Sequence, residues 1–139
     1  MTEFRRVLFR SIYFLIKNSL KSAANHYKED KNIEIGGMSP IPINKYYTEK
    51  EMGSHVDNYN NDPNPTISAL LYLNDEYEGG EILFYKSHDG DESKADWHKP
   101  MPGTLIYFRG GEENPHSVRT ILGGERSNLI LFFDVDESL

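Results

Sequence analysis

The chain has 139 residues, enough for one domain with a single core, and its 37% hydrophobic and 27% charged residues are ordinary for a globular protein. Fifteen basic against 22 acidic side chains leave a formal charge of −7, which argues against a nucleic-acid partner gripped through its phosphates. With no cysteine there is no disulfide framework, thiolate metal site or cysteine nucleophile, so a transition metal would need histidine and carboxylate donors, which suit iron, manganese or zinc.

The apolar stretch Val7–Ile16 is broken by Arg10 and is too short to span a bilayer; Ile12–Ile16 is weak for a signal-peptide core. Val7-Leu8-Phe9-Arg10-Ser11 reads like a translated sequencing adapter. We therefore expect residues 1–11 to be a non-native leader. Residues 12–139 are expected to form a single domain, truncated at its N-terminus, in a cytoplasmic protein with no membrane partner. Ile12, Leu15, Ile16, Leu20, Ala23, Ala24 and Tyr27 recur at helical spacing, which predicts one amphipathic helix over 12–29 lying on a sheet. His26 near its end is read as a surface or cap residue. Residues 35–40, Ile-Gly-Gly-Met-Ser-Pro, read as a loop.

Beyond that loop, β-branched and aromatic enrichment predicts strands over 41–48, 54–59, 66–73, 81–86, 104–109, 116–121 and 126–135. Turn clusters separate them: residues 60–65, Gly79-Gly80, Gly110-Gly111 and Gly123-Gly124. Residues 87–100, rich in Asp, Lys and His, are read as an exposed connection. Many short strands with such punctuation favour a sandwich or barrel over βαβ units. The fold class expected is mainly β, a double-stranded β-helix or jelly roll with an N-terminal helix packed on the sheet. Such barrels hold a ligand or metal in the mouth between their sheets.

His55 and Asp57 flank Val56 on a predicted strand, where alternate side chains share a face and could chelate one ion. The pair alone is a weak signal, more often found at a solvated strand end. His116 opens a later strand and Arg126 the next, ten positions on. Antiparallel neighbours in a jelly roll would bring them into one cavity. Two histidines and a carboxylate make a facial triad with three open coordination positions, two for a bidentate 2-oxo acid and one for dioxygen. A buried Arg126 would pair with the distal carboxylate of such an acid through its planar fork. The alternative is an outward, solvated Arg126, which the parity of this apolar strand leaves open. His88 and His98, with Asp89, Asp91 and Asp96, could mimic a metal site but are read as solvated loop, from which Trp97 could contact a peptide.

Together, the blocks HVDN (residues 55–58), SALLYLNDEYEGGEILF (68–84), KPMPGTLIYF (99–108) and ENPHSVRTILGGERSNLILFF (113–133) resemble the catalytic domain of prolyl hydroxylases in the 2-oxoglutarate/iron(II) oxygenase superfamily. The resemblance covers about residues 46–135, roughly two thirds of the chain. It implies that His55, Asp57 and His116 are the iron ligands and that Arg126 pairs with 2-oxoglutarate. In the collagen 4-hydroxylase branch the matching residue is usually lysine. Tyr72 matches a tyrosine that hydrogen-bonds the same carboxylate in some relatives, and Tyr46 one that lines the pocket; each could instead be aromatic core. Many relatives have glycine shortly after the Tyr46 position, where this chain has Glu49, so a different turn is expected there.

By the same resemblance the cofactor is iron(II), the co-substrates are 2-oxoglutarate and dioxygen, and ascorbate is an accessory. The implied reaction couples oxidative decarboxylation of 2-oxoglutarate to hydroxylation of a prolyl residue in a peptide or protein, at either the 3- or the 4-carbon. Substrate would lie across the barrel mouth, between the loop after Asp57 and residues 86–100. Two alternatives stand beside it: a hydroxylase of lysyl residues or a small molecule using the same site, and a non-catalytic metal-binding jelly-roll module.

Overall fold

The structure, a computed structural model, describes residues 3–31, 34–38, 42–57 and 66–136, with side chains over 14–30, 42–57 and 66–134. Among the described residues are one long helix, α1 (Glu3–Lys31), and ten strands: β1 (Glu34–Met38), β2 (Ile43–Tyr47), β3 (Met52–His55), β4 (Thr66–Tyr72), β5 (Tyr77–Gly79), β6 (Ile82–Phe84), β7 (Asp96–His98), β8 (Leu105–Gly110), β9 (His116–Val118) and β10 (Ile121–Asp136). The expected turn cluster at 60–65 lies outside the described residues, as does the loop after Asp57. The chain forms two compact units, the helix up to Ile35 and the strands from Gly36 to Val135.

Helix α1 runs longer than the predicted 12–29. Leu20 and Ala24 form its buried stripe, flanked by half-buried Ile16, Ala23 and Tyr27. Leu15, which its spacing predicts in that stripe, is exposed, as is Phe14. His26 is on the surface, as expected. No described helix is long and apolar enough to cross a membrane.

In the strand unit, one sheet runs β1-β10-β4-β8 with β2 and β5 also paired to β10, and a second runs β3-β9-β6-β7. Leu70, Tyr72 and Phe108 of the first sheet pack with Ile82 of the second, which is the core between the two sheets. This is the mainly β, jelly-roll architecture expected. Strand β4 is buried at six of its seven positions, so its faces are told apart by alternation alone. Ser68, Leu70 and Tyr72 point between the sheets, and Ile67 and Ala69 point away.

Several predicted boundaries shift. The Gly-rich stretch 35–38 is not loop but part of β1. Residues 92–98, expected to be irregular, contain a single 3₁₀ turn (Glu92–Lys94) capped by Asp91, and then β7, whose Trp97 pairs with Leu83. All three β7 residues are exposed, so no apolar alternation marks the strand. The short strand β5 was not anticipated. Most consequentially, Gly123-Gly124 does not separate two strands: β10 is continuous through it, with a register shift between Ile121 and Gly123. Gly124 has φ 80°, and a Cβ there would lie 2.5 Å from the Glu76 carbonyl oxygen, so glycine serves a bulge rather than a reversal. The expected Gly79-Gly80 turn is present, both at positive φ.

The turn after Tyr46 asks of Glu49 a conformation that glycine adopts most readily. Glu49 itself adopts φ 69°, the left-handed conformation that costs a residue with a Cβ about 1–2 kcal/mol. Its N–H donates to the Ile121 carbonyl at 2.9 Å, and Lys50 N–H to that of Tyr47 at 3.0 Å, which hold the turn in place. Glu49→Gly is therefore expected to stabilise the protein by about 1 kcal/mol, after glycine's extra unfolded-state entropy. Urea unfolding measures this; an unchanged or lowered midpoint contradicts it.

Candidate functional site

The site begins with strand pairing. His55 ends β3 directly opposite His116, which opens β9, and His116 lies opposite Phe84 of β6. Direct cross-strand neighbours on one face lie within contact distance, and here the two imidazole rings are 4.3 Å apart. Asp57 is not on the strand, as strand parity had required, but two residues past its end. Its carboxylate is placed instead by Ser68 of β4, whose hydroxyl donates to Oδ2 at 2.5 Å. Gly110 makes room for it, since a Cβ there would meet Thr66 Oγ1 at 2.7 Å and Asp57 Cβ at 3.1 Å.

The result is a compact donor set. His55 Nε2 is 3.4 Å from Asp57 Oδ1, and His116 Nε2 is 3.6 Å from Oδ2. One ligand atom from each residue lies within 4.8 Å of the others. The opposite ring nitrogens are occupied. His55 Nδ1 faces the Gly53 carbonyl at 2.9 Å and His116 Nδ1 the Asn114 carbonyl at 3.0 Å. A carbonyl only accepts, so each Nδ1 carries the proton and each Nε2 keeps a lone pair aimed at the shared centre. Two neutral imidazoles and a carboxylate, without thiolate, are the donors of an iron(II) facial triad.

The electrostatics fit this use. Burial holds the His116 imidazole below the ordinary histidine value, against the pull of Asp57. The rings of Phe84 and Phe108, centred 5.7 and 4.8 Å away, form its apolar wall. For Asp57 burial pushes upward, but its interaction with the His55 ring and the hydrogen bond from Ser68 outweigh it and keep the carboxylate ionised. The hydrogen bond to Asp57 raises His55.

A cavity of about 600 Å³ opens over this centre, lined also by Tyr46, Asn128 and Arg126. Strand β10 settles the facing that the apolar sequence left open: Arg126, Asn128, Ile130 and Phe132 line the cavity, while buried Leu129, Leu131 and Phe133 face away. Arg126 lies within β10 rather than at its start, opposite Tyr46 of β2. It is 1% exposed. Its guanidinium carbon sits 4.9 Å from the ring centres of both Tyr46 and Tyr72. Nη2 donates to the Tyr72 hydroxyl at 3.1 Å, and Nε and Nη1 have no partner.

Arginine stays charged when buried, and an uncompensated buried charge costs several kcal/mol. Arg126, with Nε and Nη1 unpartnered, has the donors to seat an anion. Burial pushes the Tyr72 phenol up to about 12, so it is a neutral hydroxyl at any working pH. Its oxygen accepts from Arg126, which leaves its proton to donate. Tyr46, whose ring also adjoins the guanidinium, has its hydroxyl 3.9 Å from Met52 Sδ.

All six anticipated residues converge: His55, Asp57, His116, Tyr46 and Arg126 line the cavity, and Tyr72 holds Arg126 from the core. His88 and His98 do not join them. His88 faces Glu112 at 3.1 Å on the surface, and His98 is exposed on β7. Ser68, Gly110, Phe84, Phe108 and Asn128 were not singled out from sequence. Parity could have found two of them, because Ser68 alternates with Tyr72 and Asn128 with Arg126.

Residues 41–134 match the model of the 2OG-Fe(II) oxygenase superfamily. Over 69 residues, half of this chain, the sequence is 44% identical to prolyl 3-hydroxylase 2 of Rattus norvegicus, a match that spans a tenth of that protein's length. Among solved structures, a Pseudomonas putida prolyl-4-hydroxylase superposes with a TM-score of 0.67 at 23% identity, over 83% of this chain and 62% of that one. A prolyl hydroxylase of Trichoplax adhaerens, in complex with a hypoxia inducible factor oxygen degradation domain peptide fragment, gives 0.62 at 24% identity, over 74% of this chain and 46% of the other. At those identities the two structures speak for the fold, and the family match covers most of the strand unit and every residue of the site. The chain belongs to the 2OG-Fe(II) oxygenase superfamily.

Proposed function

We propose that this protein is an iron(II)- and 2-oxoglutarate-dependent dioxygenase that hydroxylates a prolyl residue in a peptide or protein, with His55, Asp57 and His116 as the iron ligands. Arg126 would pair with the distal carboxylate of 2-oxoglutarate, helped by Tyr72 and Tyr46. The observation that carries the reading is one cavity containing both an oriented His-Asp-His set and a buried, unpaired arginine. Neither element alone asks for a metal and a diacid together; the pair does.

Iron(II) bound there would supply the coupling of dioxygen reduction and 2-oxoglutarate decarboxylation to C–H hydroxylation. This chain's residues supply the setting. Ser68 and the two backbone carbonyls fix the three ligands in orientation. Arg126 and Tyr72 anchor the diacid at its far end, so its reacting end is positioned rather than free. Phe84 and Phe108 keep the His116 side of the centre apolar and exclude water from it.

Similarity to prolyl 3-hydroxylase 2 and to prolyl hydroxylase structures supports a proline-containing substrate. The test is incubation of proline-containing peptides with the protein, iron(II), 2-oxoglutarate, ascorbate and air. The expected product is heavier by one oxygen atom on proline, with succinate formed alongside it, and fragmentation assigns the 3- or 4-carbon. Oxygen appearing on lysine, or succinate formed without any peptide modification, would contradict the prolyl assignment.

A smaller change probes the support around the ligands. Ser68→Ala leaves Asp57 Oδ2 without its hydrogen-bond donor. Loss of such a partner typically weakens metal affinity roughly 10- to 100-fold. Competition titration with a chromogenic chelator measures it, and wild-type affinity would show that Ser68 does not position Asp57.

A further inference from the structure

Strand β9, which opens on His116, is three residues long. On its β3 side the register is irregular between Met52 and His55. Its regular pairing is with β6, where Phe84, Leu83 and Ile82 lie opposite His116, Ser117 and Val118. A metal ligand has to be held within about 0.5 Å of its working position. A three-residue strand with one irregular side offers few backbone bonds for that, so the contacts just beyond β6 matter.

Tyr85, the residue after β6, makes two of them. Its N–H donates to the Pro115 carbonyl at 2.9 Å, on the peptide that leads into His116. Its hydroxyl shares a 2.7 Å hydrogen bond with Ser117 Oγ, on the residue that follows His116. Strand alternation puts His116 and Phe84 on the cavity side of the sheet and Ser117 and Tyr85 on the other. Tyr85 and Ser117 are nevertheless buried, so their hydroxyls satisfy each other where water does not reach. The Asn114 carbonyl, which orients the His116 ring through Nδ1, lies one residue before the held peptide. Any slip of residues 115–117 along β6 would therefore misplace both the ring and the carbonyl that orients it.

We propose that Tyr85 is a positioning residue for the metal centre. By gripping the residues on both sides of His116 from the back of the sheet, it fixes where His116 Nε2 stands relative to His55 and Asp57. The N–H half of the grip belongs to the backbone; the hydroxyl half belongs to the side chain and can be removed. This inference rests on the metal-site reading of His55, Asp57 and His116.

The test is a double-mutant cycle of Tyr85→Phe, Ser117→Ala and the two together, on the full chain with cobalt(II) as the probe. Each single change leaves one buried hydroxyl without a partner and should lower the melting temperature of the metal-free protein. The double change removes both hydroxyls and should recover most of that loss. Cobalt affinity, read by competition with a chromogenic chelator, should fall about 3- to 10-fold in all three variants, less than the roughly 10- to 100-fold for a group bonded directly to a ligand. The visible spectrum of bound cobalt, which follows ligand geometry, should shift in the same direction in each. The double variant, measured well below its melting transition, decides between the roles. Weakened affinity there, with the loss not following the melting temperature, supports positioning. Wild-type affinity, or affinity that recovers along with the melting temperature, overturns the proposal and leaves a purely structural bond. Failure of the wild-type protein to bind cobalt would overturn the metal-site reading rather than the role of Tyr85 within it.

Discussion

Asp57→Ala is expected to abolish iron(II) binding while the protein remains folded. The carboxylate is the central member of the donor set, within 3.6 Å of both Nε2 atoms, and no other carboxylate among the described residues joins the cluster. Removing a ligand should cost more than the roughly 10- to 100-fold expected for removing its hydrogen-bond partner Ser68. The fold should survive, because the strand register that sets His55 against His116 uses backbone bonds and does not involve Asp57. Metal titration with circular dichroism on the same samples checks both halves. Iron affinity within a few-fold of wild type would remove Asp57 from the ligand set. A pH dependence accompanies this: Asp57 holds the His55 imidazole above the ordinary histidine value, so a proton competes with metal there. Affinity in the wild-type protein should fall as pH drops through that raised value and recover above it.

Arg126→Met carries the second large effect, and it separates binding from stability. Truncating one member of a buried charge pair costs about 2–5 kcal/mol of affinity, roughly 30-fold to several thousand-fold for 2-oxoglutarate. The ligand-free protein should not be destabilised and should gain if anything, because an uncompensated buried guanidinium is replaced by an apolar chain of similar length. Iron affinity should be unchanged, as Arg126 contacts none of the three ligands. Calorimetric titration and thermal melting read the two arms. Wild-type 2-oxoglutarate affinity, or a melting temperature several degrees lower, would mean that Arg126 is a scaffold residue.

The chemistry was more legible in the sequence than its support. Residue type and spacing brought His55, Asp57, His116 and Arg126 forward as candidates, with no cysteine to compete, but it was the resemblance of the surrounding blocks that singled them out together. What spacing could not say is how Asp57 is held. Strand alternation placed it beside His55, yet it lies past the end of β3 and depends on Ser68, eleven residues on and in another sheet. The glycines misled in a similar way. Glycine tolerates both reversals and bulges, so Gly123-Gly124 read as a turn when the chain continues through it as β10. That continuity matters, since it carries Arg126 into a cavity-facing position. The reverse holds at Glu49, where a residue that disfavours the left-handed conformation adopts it, its N–H donating to the Ile121 carbonyl and the Lys50 N–H to that of Tyr47. Short exposed strands such as β7 left no signal, because alternation becomes visible only when one face is buried.

The most direct test of the whole account is anaerobic titration of 2-oxoglutarate into the protein with and without iron(II). One diacid per chain is expected, bound tightly only when metal is present, with tight binding no longer produced by iron in Asp57→Ala and binding lost with or without iron in Arg126→Met. Binding that is indifferent to iron, or that survives both substitutions, would contradict a centre built from His55, Asp57, His116 and Arg126.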